Sequence, residues 1–180
     1  MSKSSNVTIP ARVGDAAEIN YGRPPNADFG PLARDRIPVR TMADDDLHAL
    51  IAIDRRITGR DRTGYFKQKF TDAVHDTDVR VSLIAEREGA VVGFIMARVD
   101  LGEFGRVEPT AVMDTIGVDP DCRDQGIGRA LLSQLLVNLA TLRVESIRTE
   151  IDWHDHEIAA FLDRCGFAPA PQLCFERSLA

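Results

Sequence analysis

One segment limits the possible folds more than any other: residues 110–152, which read strand, turn, helix, strand. In TAVMDTIGV, Val112, Asp114, Ile116 and Val118 fall at alternate places, as on one face of a strand. After the turn DPDCRDQG, Ala130, Leu131, Leu132, Leu135, Leu136, Leu139 and Leu142 recur at helical spacing, so one side of a long helix packs on a sheet. SIRTEID then reads as a second strand. A strand, helix, strand unit crosses over right-handed and leaves its two strands parallel.

The helix over 128–142 starts without bulk, because Gly126 and Gly128 stand at its first turn. First-turn N–H groups lack intrahelical partners and form the positive end of the helix dipole, so bare backbone there suits a phosphate. Two phosphate motifs are excluded: no Gly-Lys-Ser/Thr follows, as a P-loop requires, and GIGRAL lacks the third glycine of a dinucleotide fingerprint.

The flanking sequence supplies the remaining layers. IPVRTM predicts a short strand, and Thr41 with Asp44 predicts a capping box opening a helix through DDDLHALIAIDRRI to Gly59. A second helix is expected over 61–74, then a hairpin of VRVSLIAERE and AVVGFIMARVD around Glu88-Gly89. PTAVMDTIGVD is the fourth strand and SIRTEID the fifth. HEIAAFLDRC makes a last helix before Gly166, and closing strands are expected around FAPA and QLCFERSL. The fold class is therefore α+β in three layers: a mixed, mostly antiparallel sheet of six to seven strands, the fourth and fifth parallel, with about four helices. Residues 1–35 hold Pro10, Gly14, Gly22, Pro24, Pro25, Gly30 and Pro31 without periodicity and read as a flexible arm; 36–180 form the domain.

A chain of 180 residues with 44% hydrophobic content is enough for one real core. No apolar run approaches the ~18 residues of a membrane span and the N-terminus lacks a signal-like apolar stretch, so a cytoplasmic protein without a membrane partner is expected. Cys122, Cys165 and Cys174 lack CxxC spacing, which argues against disulfides, zinc or another metal. A net charge of −6, from 28 acidic and 22 basic residues, argues against nucleic acid and suits a cationic substrate.

Arg123-Asp124-Gln125-Gly126-Ile127-Gly128 resembles the Arg/Gln-x-x-Gly-x-Gly/Ala signature of the GNAT superfamily of N-acetyltransferases. Val118-Asp119-Pro120 and Phe161-Leu162-x-x-Cys165-Gly166-Phe167 are similar to further hallmarks of that family, and the resemblance runs from about Arg36 to the C-terminus. It implies acetyl-CoA as co-substrate, held at its pyrophosphate by the backbone N–H groups from Gln125 to about Ala130 and at its pantetheine arm by Ile116, Gly117 and Val118. Arg123 or Arg129 would add charge, and Asp155 stands where the family often has a cofactor-contacting asparagine, flanked by His154 and His156.

The reaction class so implied passes an acetyl group to an amine. An amine of pKa about 10.4 must first lose a proton, so a carboxylate near the acetyl carbonyl is needed. Asp114 is one candidate, an acid where the strand's apolar row expects a hydrophobic residue. Glu150 is the other; strand parity puts it with Arg148 and Asp152 on a polar face. By resemblance Glu150 matches the glutamate of ribosomal-protein alanine acetyltransferases, and Asp114 the strand-four glutamate of diamine acetyltransferases. Leu162 replaces the tyrosine that many members use to protonate the leaving thiolate; neighbouring Cys165 reads as a structural thiol. Arg55, Arg56, Arg60 and Arg62 form a basic cluster able to meet a carboxylate or an acidic protein surface, unless it is simply solvated. The sequence thus points to direct acetyl transfer, with a protein lysine or N-terminal amine preferred over a small-molecule amine. A homodimer is compatible with it, and the rival from another class is a silent acyl-CoA-binding module.

Overall fold

The computed structural model describes residues 37–75, 79–100, 109–172 and 174–178. The arm assigned to 1–35 lies outside the described residues. The elements run β1 (Val39–Thr41), α1 (Leu47–Thr58), α2 (Thr63–His75), β2 (Arg80–Arg87), β3 (Ala90–Asp100), β4 (Thr110–Val118), α3 (Ile127–Thr141), β5 (Ser146–Arg148) and α4 (His156–Arg164), with 3-10 turns at Asp44–Asp46 and Pro120–Cys122. Among the described residues no helix is long and apolar enough to cross a membrane.

The sheet order is β1-β2-β3-β4-β5. The first three pairings are antiparallel and β4 pairs β5 in parallel, as the crossover requires. β2 and β3 join through Glu88 and Gly89, both at positive φ, the backbone that a two-residue hairpin turn needs.

Each face of the sheet is covered because its strands and helices are both amphipathic. On one side Leu50 and Ile53 of α1 and Phe66 of α2 pack on Ile84, Phe94 and Met96. On the other, Leu131, Leu132, Leu135 and Leu139 of α3, with Leu162 of α4, pack on Leu83, Ile95, Ala97, Ala111 and Met113. At about 1.5–3 kcal/mol per large apolar side chain buried, these two clusters fix the three layers.

Several expectations are corrected. The described sheet has five strands, not six to seven: no strand forms in 168–172 or 174–178, and Phe175 is 89% exposed. Phe167 N donates to Leu162 O (3.0 Å) at the end of α4, and beyond it Pro169 and Pro171 supply no ladder N–H. β5 stops at Arg148 because the Thr149 hydroxyl donates to Met113 O (2.9 Å), taking an acceptor that the ladder would use. Glu150 and Asp152 are therefore loop residues, not neighbours on a strand face. Thr41 belongs to β1 rather than to a cap; Asp46 reaches back instead, accepting from Ala43 N (2.7 Å).

The most consequential correction concerns Asp114. The β3–β4 register shifts between Met96 and Ala97, where Met113 opposes Ala97 and Thr115 opposes Met96, so Asp114 is the extra residue of a bulge. The bulge exchanges the faces. Ile116 and Val118 join Ala111 and Met113 on the α3 side, whereas Asp114 turns to the α1/α2 side. Asp114 does not share a row with Ile116 and Val118.

Candidate active site

The bulge lies where β4 loses its second neighbour. β4 pairs β5 only from Thr110 to Val112, so beyond Met113 one edge of β4 stays on β3 while no strand pairs the other. Residues 114–118 thus offer a backbone edge roughly 16 Å long, at about 3.3 Å per residue. Ile116 and Val118 send their side chains into the α3 cluster. Gly117 is bare for a packing reason: a Cβ there would lie 2.6 Å from the Phe94 ring and 3.2 Å from Ile57 Cδ1.

The open edge leads to the start of α3. Asp119 caps the 3-10 turn by accepting from Asp121 N (3.0 Å), and Arg56 of α1 clamps both acids, at 2.6 and 2.7 Å to Asp119 and 2.7 Å to Asp121. Asp121 and Asp119 together hold the Arg56 guanidinium above its ordinary pKa. The chain then turns through Asp124 (φ 60°) and Gly126 (φ 82°), and no side chain caps α3. Only at Ala130 does an amide return to Gly126 O (2.9 Å), so the preceding first-turn N–H groups point out of the helix end. Buried Ile127 anchors that end in the core. Gly128 lets the Phe161 ring of α4 approach to 3.3 Å of where its Cβ would be, with Val118 at 3.7 Å.

The other predicted binding residues surround this turn without crowding it. Gln125 accepts a hydrogen bond from the Arg87 guanidinium at the end of β2. Arg123 reaches Glu157 at 3.4 Å, an exposed pair worth little. Exposed Arg129 approaches Cys165, whose thiol burial pushes up while Arg129 and Arg164 oppose that shift. Asp155 serves α4 as its N-cap, accepting from Ile158 N (3.2 Å). His154 is 88% exposed and sits 3.0 Å from Asp152, whose carboxyl is lowered first by the His154 backbone N–H and then by its ring.

The two candidate bases differ sharply in surroundings. The Asp114 side chain is 9% exposed, with Lys69 Nζ of α2 at 2.8 Å from Oδ2 and Arg98 of β3 on Oδ1. Arg98 continues to Asp100 (3.1 Å), and Asp100 to Arg148 of β5 (3.2 Å), so an alternating chain of charges links α2, β4, β3 and β5. Glu150 is exposed, follows Thr149 at the mouth of the β4–β5 gap, and has no hydrogen bond or ion pair among the described residues. Leu162 is buried in the α3 cluster and presents no acid.

The arginine cluster is mostly consumed by the fold. Arg55 pairs with Asp61, Arg56 with Asp119 and Asp121, and Arg62 with buried Asp54. Sequence reasoning missed Lys69, Arg98, Arg87 and the Arg56 clamp. Lys69 carried a signal, because it interrupts the apolar stripe of Phe66 and Phe70 that faces the sheet.

The profile of the acetyltransferase (GNAT) family matches residues 47–167. Mycothiol acetyltransferase of Propionibacterium freudenreichii subsp. shermanii is 29% identical over 136 residues, covering 69% of this chain and 41% of that protein. Mycothiol acetyltransferase of Thermobispora bispora is 30% identical over 84 residues, 47% of this chain and 28% of its own length. The chain thus spans less than half the length of these relatives. Among solved structures, the aminoglycoside N-acetyltransferase AAC(6')-Iy in complex with CoA aligns with a TM-score of 0.69 at 14% identity, over 80% of this chain and 95% of that one. Glucosamine-6-phosphate N-acetyltransferase from Arabidopsis thaliana aligns with a TM-score of 0.63 at 15% identity, over 80% and 99%. These alignments share the fold, and the chain belongs to the acetyltransferase (GNAT) family.

Proposed function

We propose that this family member transfers an acetyl group from acetyl-CoA to a primary amine by direct attack, with both substrates bound together. The observation that carries the proposal is the continuity of the uncapped α3 start with the unpaired edge of β4. The N–H groups from Gln125 to Arg129 would meet the pyrophosphate, helped by Arg123 or Arg129, and residues 116–118 would offer main-chain groups to the pantetheine amides. An arm following that edge comes to the bulge at Asp114 after four residues, roughly 13 Å. Acetyl-CoA supplies there an activated thioester carbonyl.

Two carboxylates flank that point. Glu150 has free oxygens and takes the proton of the incoming ammonium, while Asp114, held by Lys69 and Arg98, fixes the charge pattern of the acceptor side. With Leu162 in place of an acid, the leaving group departs as the thiolate, whose pKa near 8.5 permits it.

A small polar amine is the favoured acceptor, because the matched relatives are named for acetylating a small molecule and the walls around Asp114 are close-set charges. Trp153, 88% exposed beyond Glu150, supports the alternative of a protein amine, as an apolar contact outside the gap. The half-buried and exposed free thiols fit a reducing, cytoplasmic setting. The test is CoA release with a panel of small amines and peptides. Turnover with any member supports the transferase. Binding of acetyl-CoA with no turnover across both classes would instead favour a silent acyl-CoA-binding module, for which buried Leu162 speaks.

A further inference from the structure

We propose that Lys69 is itself an acetyl acceptor, modified within its own molecule by the site that it borders. The inference rests on the reading of the preceding subsection. The Lys69 Nζ sits 2.8 Å from Asp114 Oδ2, its side chain is 19% exposed, and Asp114 is the bulge residue at which the open edge of β4 ends. A primary amine is thus already held at the place to which the acyl arm leads.

The residue type matters. Of the 22 basic residues only Lys3, Lys67 and Lys69 are lysines, and every other cation paired in the described core is arginine. Arginine stays charged and cannot be an acceptor under these conditions, whereas a lysine ammonium becomes a nucleophile when it gives up one proton. Arg98 on Asp114 Oδ1 and the Tyr65 ring 5.6 Å from Nζ hold the side chain in place.

The step balances. Asp114 accepts one proton from the Nζ ammonium, the nitrogen lone pair attacks the acetyl carbon, the nitrogen gives its second proton to water as the amide forms, the carbon–sulfur bond breaks, and the thiolate of CoA takes the proton that Asp114 holds. The products are N-acetyl-lysine at position 69, CoA and one released proton. The modification removes the charge that occupies Asp114 Oδ2 and frees that oxygen for a foreign ammonium. Self-acetylation therefore opens the acceptor side.

The test incubates the full chain with acetyl-CoA, follows intact mass and maps the modified peptide. Lys67, exposed two residues away on the same helix, is the internal control for uncatalysed surface acetylation. Expected is one acetyl group on Lys69, gained at least about tenfold faster than on Lys67, at a rate per molecule that does not change on dilution. Lys69→Arg should gain none on α2 beyond the Lys67 background. Asp114→Asn should slow the gain by on the order of a hundredfold while acetyl-CoA still binds. Equal rates at Lys67 and Lys69, a rate that falls on dilution, or an undiminished rate in Asp114→Asn would overturn the inference. Calorimetry with acetyl-CoA and CoA release with the amine panel accompany it. Binding and turnover with Lys69 unmodified overturn this inference alone; loss of acetyl-CoA binding overturns both it and the proposed function.

Discussion

Gly117→Ala separates two reasons for a bare residue on β4. The added Cβ would lie 2.6 and 2.7 Å from Cε1 and Cζ of Phe94 and 3.2 Å from Ile57 Cδ1, far inside contact distance. Phe94 is 1% exposed and meets the Phe66 ring edge-on at 6.0 Å, so it has no open side to turn into. Overpacking of this kind costs about 1–3 kcal/mol, and the closeness of two ring atoms places it at about 2–3. For a domain of this size that is a fall of roughly 4–12 °C in Tm. Phe94→Leu alone should cost about 1–2 kcal/mol, part of a full Phe→Ala loss. The double variant should be less destabilised than the sum by at least about 1 kcal/mol. Chemical denaturation of the four proteins measures the cycle. Because the Cβ points to the α1/α2 side and not to the open edge, the affinity for acetyl-CoA should not change in the folded fraction. A fully stable Gly117→Ala, or additive variants, would refute the packing argument, and a stable variant that loses acetyl-CoA would show that the bare edge itself is what matters.

Further predictions follow from the same geometry. Arg56→Ala removes the clamp on Asp119 and Asp121 and should weaken acetyl-CoA severalfold, measured by calorimetry, with Arg56→Lys in between because it cannot bridge both acids. Glu150→Gln should lower kcat by about a hundredfold with little change in the KM for acetyl-CoA, in steady-state assays with an accepted amine. Asp46, whose carboxyl Arg40 holds below the ordinary value, lends stability that is complete above pH about 4 and is lost as pH falls through its depressed folded pKa. Asp46→Asn should therefore be less stable than the parent at neutral pH and flatter in an acid titration of Tm.

The crossover was legible because its signal is redundant. Helical spacing over Leu131, Leu135 and Leu139, the glycine pair and the following strand all specify one local topology, and the structure has it. The Glu88-Gly89 hairpin was legible because two positive-φ positions need a short list of residues. What the sequence did not reveal depends on partners distant in the chain. The bulge that turns Asp114 away from Ile116 exists only against β3, and simple parity counts through it. The end of β5 is set by the Thr149 hydroxyl on Met113, and the closing strands fail because Pro169 and Pro171 interrupt the donors. Nothing local marks why Gly117 and Gly128 are bare: one clears Phe94 and the other Phe161, rings 23 or more positions away in sequence. The charges on Asp114 come from Lys69 and Arg98, which no local pattern joins.

The central claim is that the α3 start holds the phosphates of acetyl-CoA, and Gly126→Asp against Gly126→Asn tests it most directly. Both side chains tolerate the left-handed backbone at φ 82°, and a Cβ there would meet nothing nearer than Ile37 Cδ1 at 3.9 Å. The two side chains are nearly isosteric and meet the same left-handed strain at position 126, so folding should be affected equally. They differ by one negative charge, which near a phosphate at an effective dielectric of about 20 opposes binding by about 3 kcal/mol, reduced by exposure to about 1.5. Calorimetric titration of acetyl-CoA should therefore find Gly126→Asp weaker than Gly126→Asn by about tenfold, with the gap narrowing as salt is raised. Equal affinities for the two variants would contradict the account.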